Sequence, residues 1–200
     1  MDGTAAKRYK SKLDAVASKI RDPIEILRST DFLACVVQAL RTNTTEILLG
    51  PRYKQRISDL PQSAGVYLFE ITFKKNSQEP AIALELFGKA WRRRQRNGNS
   101  PAFYRGKMAK ALENVERGWI PLYLGKERSI QKRVLEHIEG PINRGTWALR
   151  LLYDIGPIVF TEATVRVGFA EVPLPKHMDF LLEVIERALR NTLSPVIGKQ

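Results

Sequence analysis

Between Trp119 and Gly140 the spacing of apolar residues changes within a few positions. Ile120 to Leu124 form an apolar and aromatic run that predicts a strand, and Gly125 and Lys126 are expected to end it. After a short polar link, Ile130, Val134 and Ile138 recur every four positions and predict a helix. Arg133 and His137 are also four apart, so they share one face of that helix, about 60° round from the apolar stripe and close to Tyr123. A fixed cation and a titratable imidazole in that position are candidate chemistry. The plainer reading is a solvated helix face, and the rest of the chain has to separate the two.

Residues 5–21 read as a basic, Ala-rich helix. After Asp22-Pro23, a good helix start, a second helix is expected to reach about Arg41, with Ile24, Leu27, Phe32, Leu33, Val36, Val37 and Leu40 as its apolar stripe. That stripe has to pack on the main domain or mediate a homodimer. Ile47 to Leu49 is a short apolar run, GPRYKQRISDLPQS reads as a loop, and AGVYLFEITF (64–73) as a strand that pairs with Ile120 to Leu124. Between these strands lies an insertion of about 45 residues, 74–118. Beyond them, one or two strands are expected around Ile158 to Val172. A last helix from about His177 to Leu193 carries Met178, Leu181, Leu182, Ile185, Leu189 and Leu193 on one side. Glu186 falls at the border of that stripe and Glu183 points to solvent, at about 100° per residue.

Composition narrows the partners. A hydrophobic fraction of 44% suits a globular protein, and no apolar run approaches the roughly 20 residues of a membrane span. No apolar core follows the charges of MDGTAAKRYKSK, so a cytoplasmic location and no membrane association are expected. The single Cys35 excludes an internal disulfide and a cysteine metal cage, and its apolar neighbours suggest a buried thiol. Thirty-three basic against 21 acidic residues give a net charge of +12, which favours a polyanionic partner, nucleic acid first. From Lys89 to Lys110 there are eight Lys or Arg and no acid, including Arg92, Arg93, Arg94 and Arg96, interleaved with Trp91, Phe103 and Tyr104. Cations that neutralise phosphates beside aromatics that stack on bases fit nucleic-acid contact. The alternative is an exposed basic helix whose aromatics pack inward.

Gly65-Val66-Tyr67 and Tyr123-Leu124-Gly125 resemble the paired motifs of the GIY-YIG nuclease superfamily, and LPQSAGVYLF (60–69) is similar to the opening of the UvrC-type nuclease domain. In that family an arginine follows the second-motif tyrosine by ten residues, as Arg133 follows Tyr123. A metal-binding glutamate precedes a helix-ending proline by nine, as Glu186 precedes Pro195. The chain departs from the family in its long insertion and in Gly198, where an Asn is usual.

The resemblance implies an α/β (α+β) domain built on a small, mainly antiparallel three-stranded sheet flanked by helices. Residues 1–45 would be an N-terminal helical extension and 46–200 the nuclease-like domain with its basic insertion. It implies a metal-dependent endonuclease that hydrolyses phosphodiester bonds in DNA, most simply double-stranded. Glu186 would hold Mg2+ or Mn2+, which commonly takes only one or two protein carboxylates. Arg133 would brace phosphate oxygens, with Lys126 and Arg92, Arg93, Arg94 and Arg96 adding charge against the strand. Tyr123, or less readily Tyr67, would activate water if neighbouring cations and the metal lower a phenol pKa that starts near 10, and His137 could share that duty. The alternative function is a non-catalytic nucleic-acid-binding protein on the same scaffold.

Overall fold

A computed structural model describes residues 29–47, 53–73, 79–95, 101–140, 148–152, 163–172 and 178–198, with 24, 25, 27 and 174 and with backbone alone at 94 and 95. The helix expected over 5–21, the Asp22-Pro23 start, His177 and Arg96 lie outside the described residues. The elements in order are α1 (Thr30–Thr42), β1 (Thr44–Ile47), α2 (Tyr53–Ser58), β2 (Gly65–Phe73), α3 (Pro80–Gln95) and β3 (Ala102–Phe103). A 3₁₀ turn (Arg105–Lys107) and α4 (Met108–Glu113) follow, then β4 (Ile120–Glu127), α5 (Ile130–Glu139), β5 (Ala163–Glu171), α6 (Phe180–Leu193) and β6 (Ile197–Gly198).

The fold is α+β around one mixed sheet of six strands in the order β1-β5-β2-β4-β6-β3, where three strands were expected. Its three long members form the centre, with β5 and β4 each antiparallel to β2 between them; the additions are short flanking strands, and β4 with β6 is a parallel pair. β3 and β6 are two residues each, too short for alternation to show in sequence. β4 runs on through Gly125 and Lys126 to Glu127, because pairing with β2 continues to Gly65↔Glu127; Gly125 is therefore a strand residue and not a turn. Residues 53–58, expected as loop, form α2 and bury Ile57.

Strand alternation divides the core between the two faces of the sheet. Tyr67, Phe69 and Ile71 of β2 face Ile130, Val134 and Ile138 of α5, with Leu84, Phe87 and Trp91 of α3 in the same cluster. Val66 and Leu68 face the other way, against Leu40 of α1 and Leu181, Leu182, Ile185 and Leu189 of α6. α1 lies close on β5: a Cβ at Gly168 would fall 1.7 Å from the Leu40 carbonyl oxygen, so only glycine admits the helix there. Val36 and Leu40 make its buried side, which leaves Cys35, one residue or about 100° away, exposed and corrects the expectation of a buried thiol.

A bulge between Phe69 and Glu70 changes the register with β4 and sets Glu70 opposite Pro121. Glu70 is fully buried, with Arg166 across the strand pair at 2.6 Å, and Arg166 lies over the Trp119 ring at 4.5 Å. Among the described residues no helix is long and apolar enough to cross a membrane.

Candidate active site

Three elements bring the motif residues together. Tyr67 and Gly125 are cross-strand partners, as are Phe69 and Tyr123, so both tyrosines stand on the α5 face of the sheet. The Tyr67 ring lies flat over Gly125: a Cβ there would meet its hydroxyl oxygen at 2.3 Å and Cζ at 2.5 Å. This close approach accounts for a glycine in the middle of a strand. Below the tyrosines, α5 is anchored at its start, where Ile130 N–H donates to Ser63 O at 3.2 Å and Gln131 N–H to Pro61 O at 3.0 Å. The same LPQSAG stretch that leads into β2 therefore fixes the helix that carries Arg133 and His137.

His137 is fully buried, and its two nitrogens are both engaged. Leu149 N–H donates to Nδ1 at 3.1 Å, and Nε2 lies 2.9 Å from the Tyr67 hydroxyl oxygen. Since Nδ1 accepts, the neutral ring carries its proton on Nε2 and donates it to Tyr67. Burial, with the Arg133 charge second, holds the His137 pKa well below its ordinary 6.5. The ring is thus a neutral donor that orients Tyr67, and water does not reach it as it would a free base.

Both phenols are shifted upward. Tyr67, 1% exposed, has a pKa well above 10, first by burial and then by Tyr123, with Arg133 opposing. Tyr123 is raised chiefly by burial too, with Arg190 and Arg133 lowering it and Glu186 raising it. Burial therefore outweighs the neighbouring cations, and these side chains by themselves lower neither phenol pKa. Tyr123 is the partly exposed member of the pair, and it is the phenol within reach of a ligand.

Arg133 is largely buried beside the tyrosines and binds Glu136 through Nη1 at 2.5 Å. Glu186 approaches from the other face of the sheet, at the rim of α6, and its charge acts on both tyrosines. Its Oε1 accepts from Arg190 Nη2 at 2.6 Å, and the same nitrogen donates to the Leu124 carbonyl at 3.0 Å, on the edge of β4. Arg190 was absent from the sequence reading. It lies four residues after Glu186, a spacing that signals an i,i+4 partner, but its contact with Leu124 depends on how α6 crosses the sheet.

The remaining candidates are elsewhere. Lys126 pairs with Val66 and, by alternation, belongs to the opposite face from Tyr67 and Tyr123. Arg93 is exposed on α3, and Arg92 lies over the Phe103 ring at 5.5 Å; neither joins the tyrosine cluster. The side chains of Arg94 and Arg96 lie outside the described residues. Trp91 and Phe103 are buried with Phe87, and Trp91 Nε1–H donates to Pro101 O at 2.8 Å, so neither ring is available to stack on a base.

Among the described residues no three His, Cys, Asp or Glu side chains converge on one point. A divalent cation at Glu186 would therefore take one carboxylate from the protein and the rest of its ligands from water and substrate, a donor set that fits magnesium better than zinc. Glu186 is partly exposed at 14%, and Arg190 occupies one of its oxygens, so the other is the available donor. Comparison of the chain with known family models, with characterised proteins and with solved structures gives no match.

Proposed function

We propose that the protein is a divalent-metal-dependent DNA endonuclease of the GIY-YIG type. The observation that carries the reading is the meeting of Tyr67, Tyr123, Arg133, His137 and Glu186 around one edge of β4, from segments up to 119 positions apart in the chain. The antiparallel centre β5-β2-β4, with one tyrosine on each of two paired strands, supports it as well.

Phosphodiester hydrolysis needs a deprotonated water, neutralisation of the negative charge on the oxygens of the pentavalent phosphate, and help for the leaving oxygen. Tyr123 receives the proton of the attacking water in its phenolate form, the minor species at neutral pH, and becomes the neutral phenol. Tyr67 is held by the His137 Nε2–H, which leaves its own hydroxyl proton to turn toward Tyr123 and stabilise the phenolate that accepts the proton. Arg133, kept in place by Glu136, presents a guanidinium to the phosphate oxygens. Glu186 would hold the cation, whose chemistry here is Lewis-acid stabilisation of charge on the phosphate. His137 and Tyr67 are positioning residues in this scheme.

A specific observation favours the second reading, a nucleic-acid-binding protein that does not cut: Glu186 is already paired with Arg190, which neutralises the one carboxylate offered to a metal. Supercoiled plasmid and structured DNA, incubated with magnesium or manganese, separate the two. Cleavage by wild type that is lost in folded, DNA-binding Arg133→Ala and Glu186→Ala proteins is the expected result. Binding with no product at any metal concentration would favour the second reading, and undiminished cleavage by Glu186→Ala would remove the metal site.

A further inference from the structure

α3, the long helix of the inserted segment, has a second face. Its core side carries Leu84, Phe87 and Trp91, all buried. Glu79, Ile82, Leu86, Lys89 and Arg93 are exposed, at alternating steps of three and four residues. Glu79 stands just before Pro80, and its carbonyl accepts from Ala83 N–H at 3.1 Å, so the helical spiral begins with it. At about 100° per residue these five fall within roughly 80° of one another, on the side of the helix opposite Leu84 and Trp91. Alternating steps of three and four are the spacing with which one helix lays a stripe along another. Ile82 is 46% and Leu86 50% exposed, two of the three large apolar side chains that stand out into solvent among the described residues. A lone exposed apolar residue needs no explanation; two adjoining ones on a single face, with an acid at one end of the stripe and a base at the other, form a patterned patch.

The pattern is self-complementary when turned about position 84. Positions 82 and 86 are equally far from it, and so are 79 and 89. A second copy of the helix, packed antiparallel, therefore sets Ile82 against Leu86 and Glu79 against Lys89, each pair twice, as an isologous two-fold contact requires. A parallel partner would set Glu79 on Glu79 and Lys89 on Lys89, which like-charge repulsion disfavours. Within its own helix Lys89 meets Glu85 at 3.9 Å, while Arg105 holds Glu85 more closely at 2.9 Å. An exposed ion pair of that length holds a lysine weakly, so Lys89 is able to turn to Glu79 of the second copy. Two chains of net charge +12 repel at a distance, but at about 0.15 M salt that repulsion is screened over about 8 Å, and the pairs along the stripe act within it.

We infer that the exposed stripe of α3 is a homodimer contact, in which two copies of the helix pack antiparallel about a two-fold axis level with position 84. The contact is independent of the endonuclease reading, since it uses no residue of the tyrosine cluster. A single pair of helices of this length buries less than the roughly 1,200 Å² of a standard stable interface, so the dimer is a weak one that forms in the micromolar range. Its two apolar pairs supply the attraction, and its two ion pairs fix the direction and register of the helices.

The test is sedimentation velocity of the full chain at about 0.15 M salt over a series from about 1 to 500 µM, with the fold of each variant checked by circular dichroism. Wild type is expected to pass from monomer to dimer across the series, and Leu86→Gln, a change at an exposed position, to weaken association roughly tenfold. Glu79→Lys alone and Lys89→Glu alone each place like charges at both ends of the contact and should weaken it. The double variant Glu79→Lys/Lys89→Glu restores complementarity and should dimerise like wild type, and an equimolar mixture of the two single variants should associate more tightly than either alone. Wild type that stays monomeric throughout overturns the contact, and so does a dimer that Leu86→Gln leaves unchanged, because it must use another face. Monomeric wild type whose thermal stability falls in Leu86→Gln would show the stripe to be covered by another part of its own chain, and overturns the contact as well. Single reversals that weaken the dimer without rescue in the double variant overturn the antiparallel register.

Discussion

His137 donates from Nε2 and accepts at Nδ1, so its contribution is a held, neutral ring. Its folded pKa is depressed below the unfolded value near 6.5. Below that pH the unfolded state binds the additional proton, so the stability this residue confers is complete above about pH 6.5 and declines as pH falls through that value, by at most about 1.4 kcal/mol per unit. The stability difference between wild type and His137→Gln, read from denaturant midpoints, is therefore expected to shrink from pH 7 to pH 5.5, and a pH-independent difference would contradict the buried neutral ring. Tyr123 gives the opposite kind of pH signature. With its pKa above 10, the phenolate fraction rises tenfold per pH unit, so the cleavage rate should climb with a slope near one from about pH 7 to 9. Tyr123→Phe should lose that slope together with about 10² to 10⁴ of the rate, and a flat wild-type profile would exclude the phenol as proton acceptor. At this scale the sequence already held Tyr67, Tyr123, Arg133 and His137, because two strand motifs and a helix period fix their faces. It did not hold the direction of the phenol shifts, since burial outweighs the cations, and burial belongs to the packed molecule.

Gly125 shows how an element can be named correctly and understood wrongly. A glycine after an apolar run reads as the end of the strand, yet β4 continues and the missing side chain gives room to the Tyr67 ring on the neighbouring strand. Gly125→Ala should displace that ring, cost about 1 to 3 kcal/mol by overpacking, and lower cleavage together with stability. Denaturation and cleavage measured on the same preparation check it; wild-type values in both would show that the ring does not need the gap. The long elements were legible for the ordinary reason that alternation and four-residue spacing repeat several times along them. The two-residue strands β3 and β6, the bulge at Phe69/Glu70 and the short helix over 53–58 repeat nothing, and each is set by a distant partner. The buried Glu70–Arg166 pair is of the same kind: the register of β2 with β5 puts the two opposite one another, 96 positions apart.

For the whole molecule, a net charge of +12 favours a polyanionic partner and says nothing of where it would sit. Arg92 and Arg93, in the densest basic stretch, do not join the tyrosine cluster, and the neighbouring Trp91 and Phe103 belong to the core. The inserted segment joins the sheet through β3, a connection created by strand order and invisible in composition. The charge that matters for the proposed chemistry is a single carboxylate on α6, placed at the edge of β4 by a helix that packs on the opposite face from the tyrosines. The most direct measurement is the magnesium-dependent rate of supercoiled-plasmid nicking by wild type and by Glu186→Gln, with DNA affinity determined on the same samples. Nicking by wild type and its loss by at least about a hundredfold in a variant that binds DNA equally well is the predicted result. No nicking by wild type, or equal nicking by both, would contradict it.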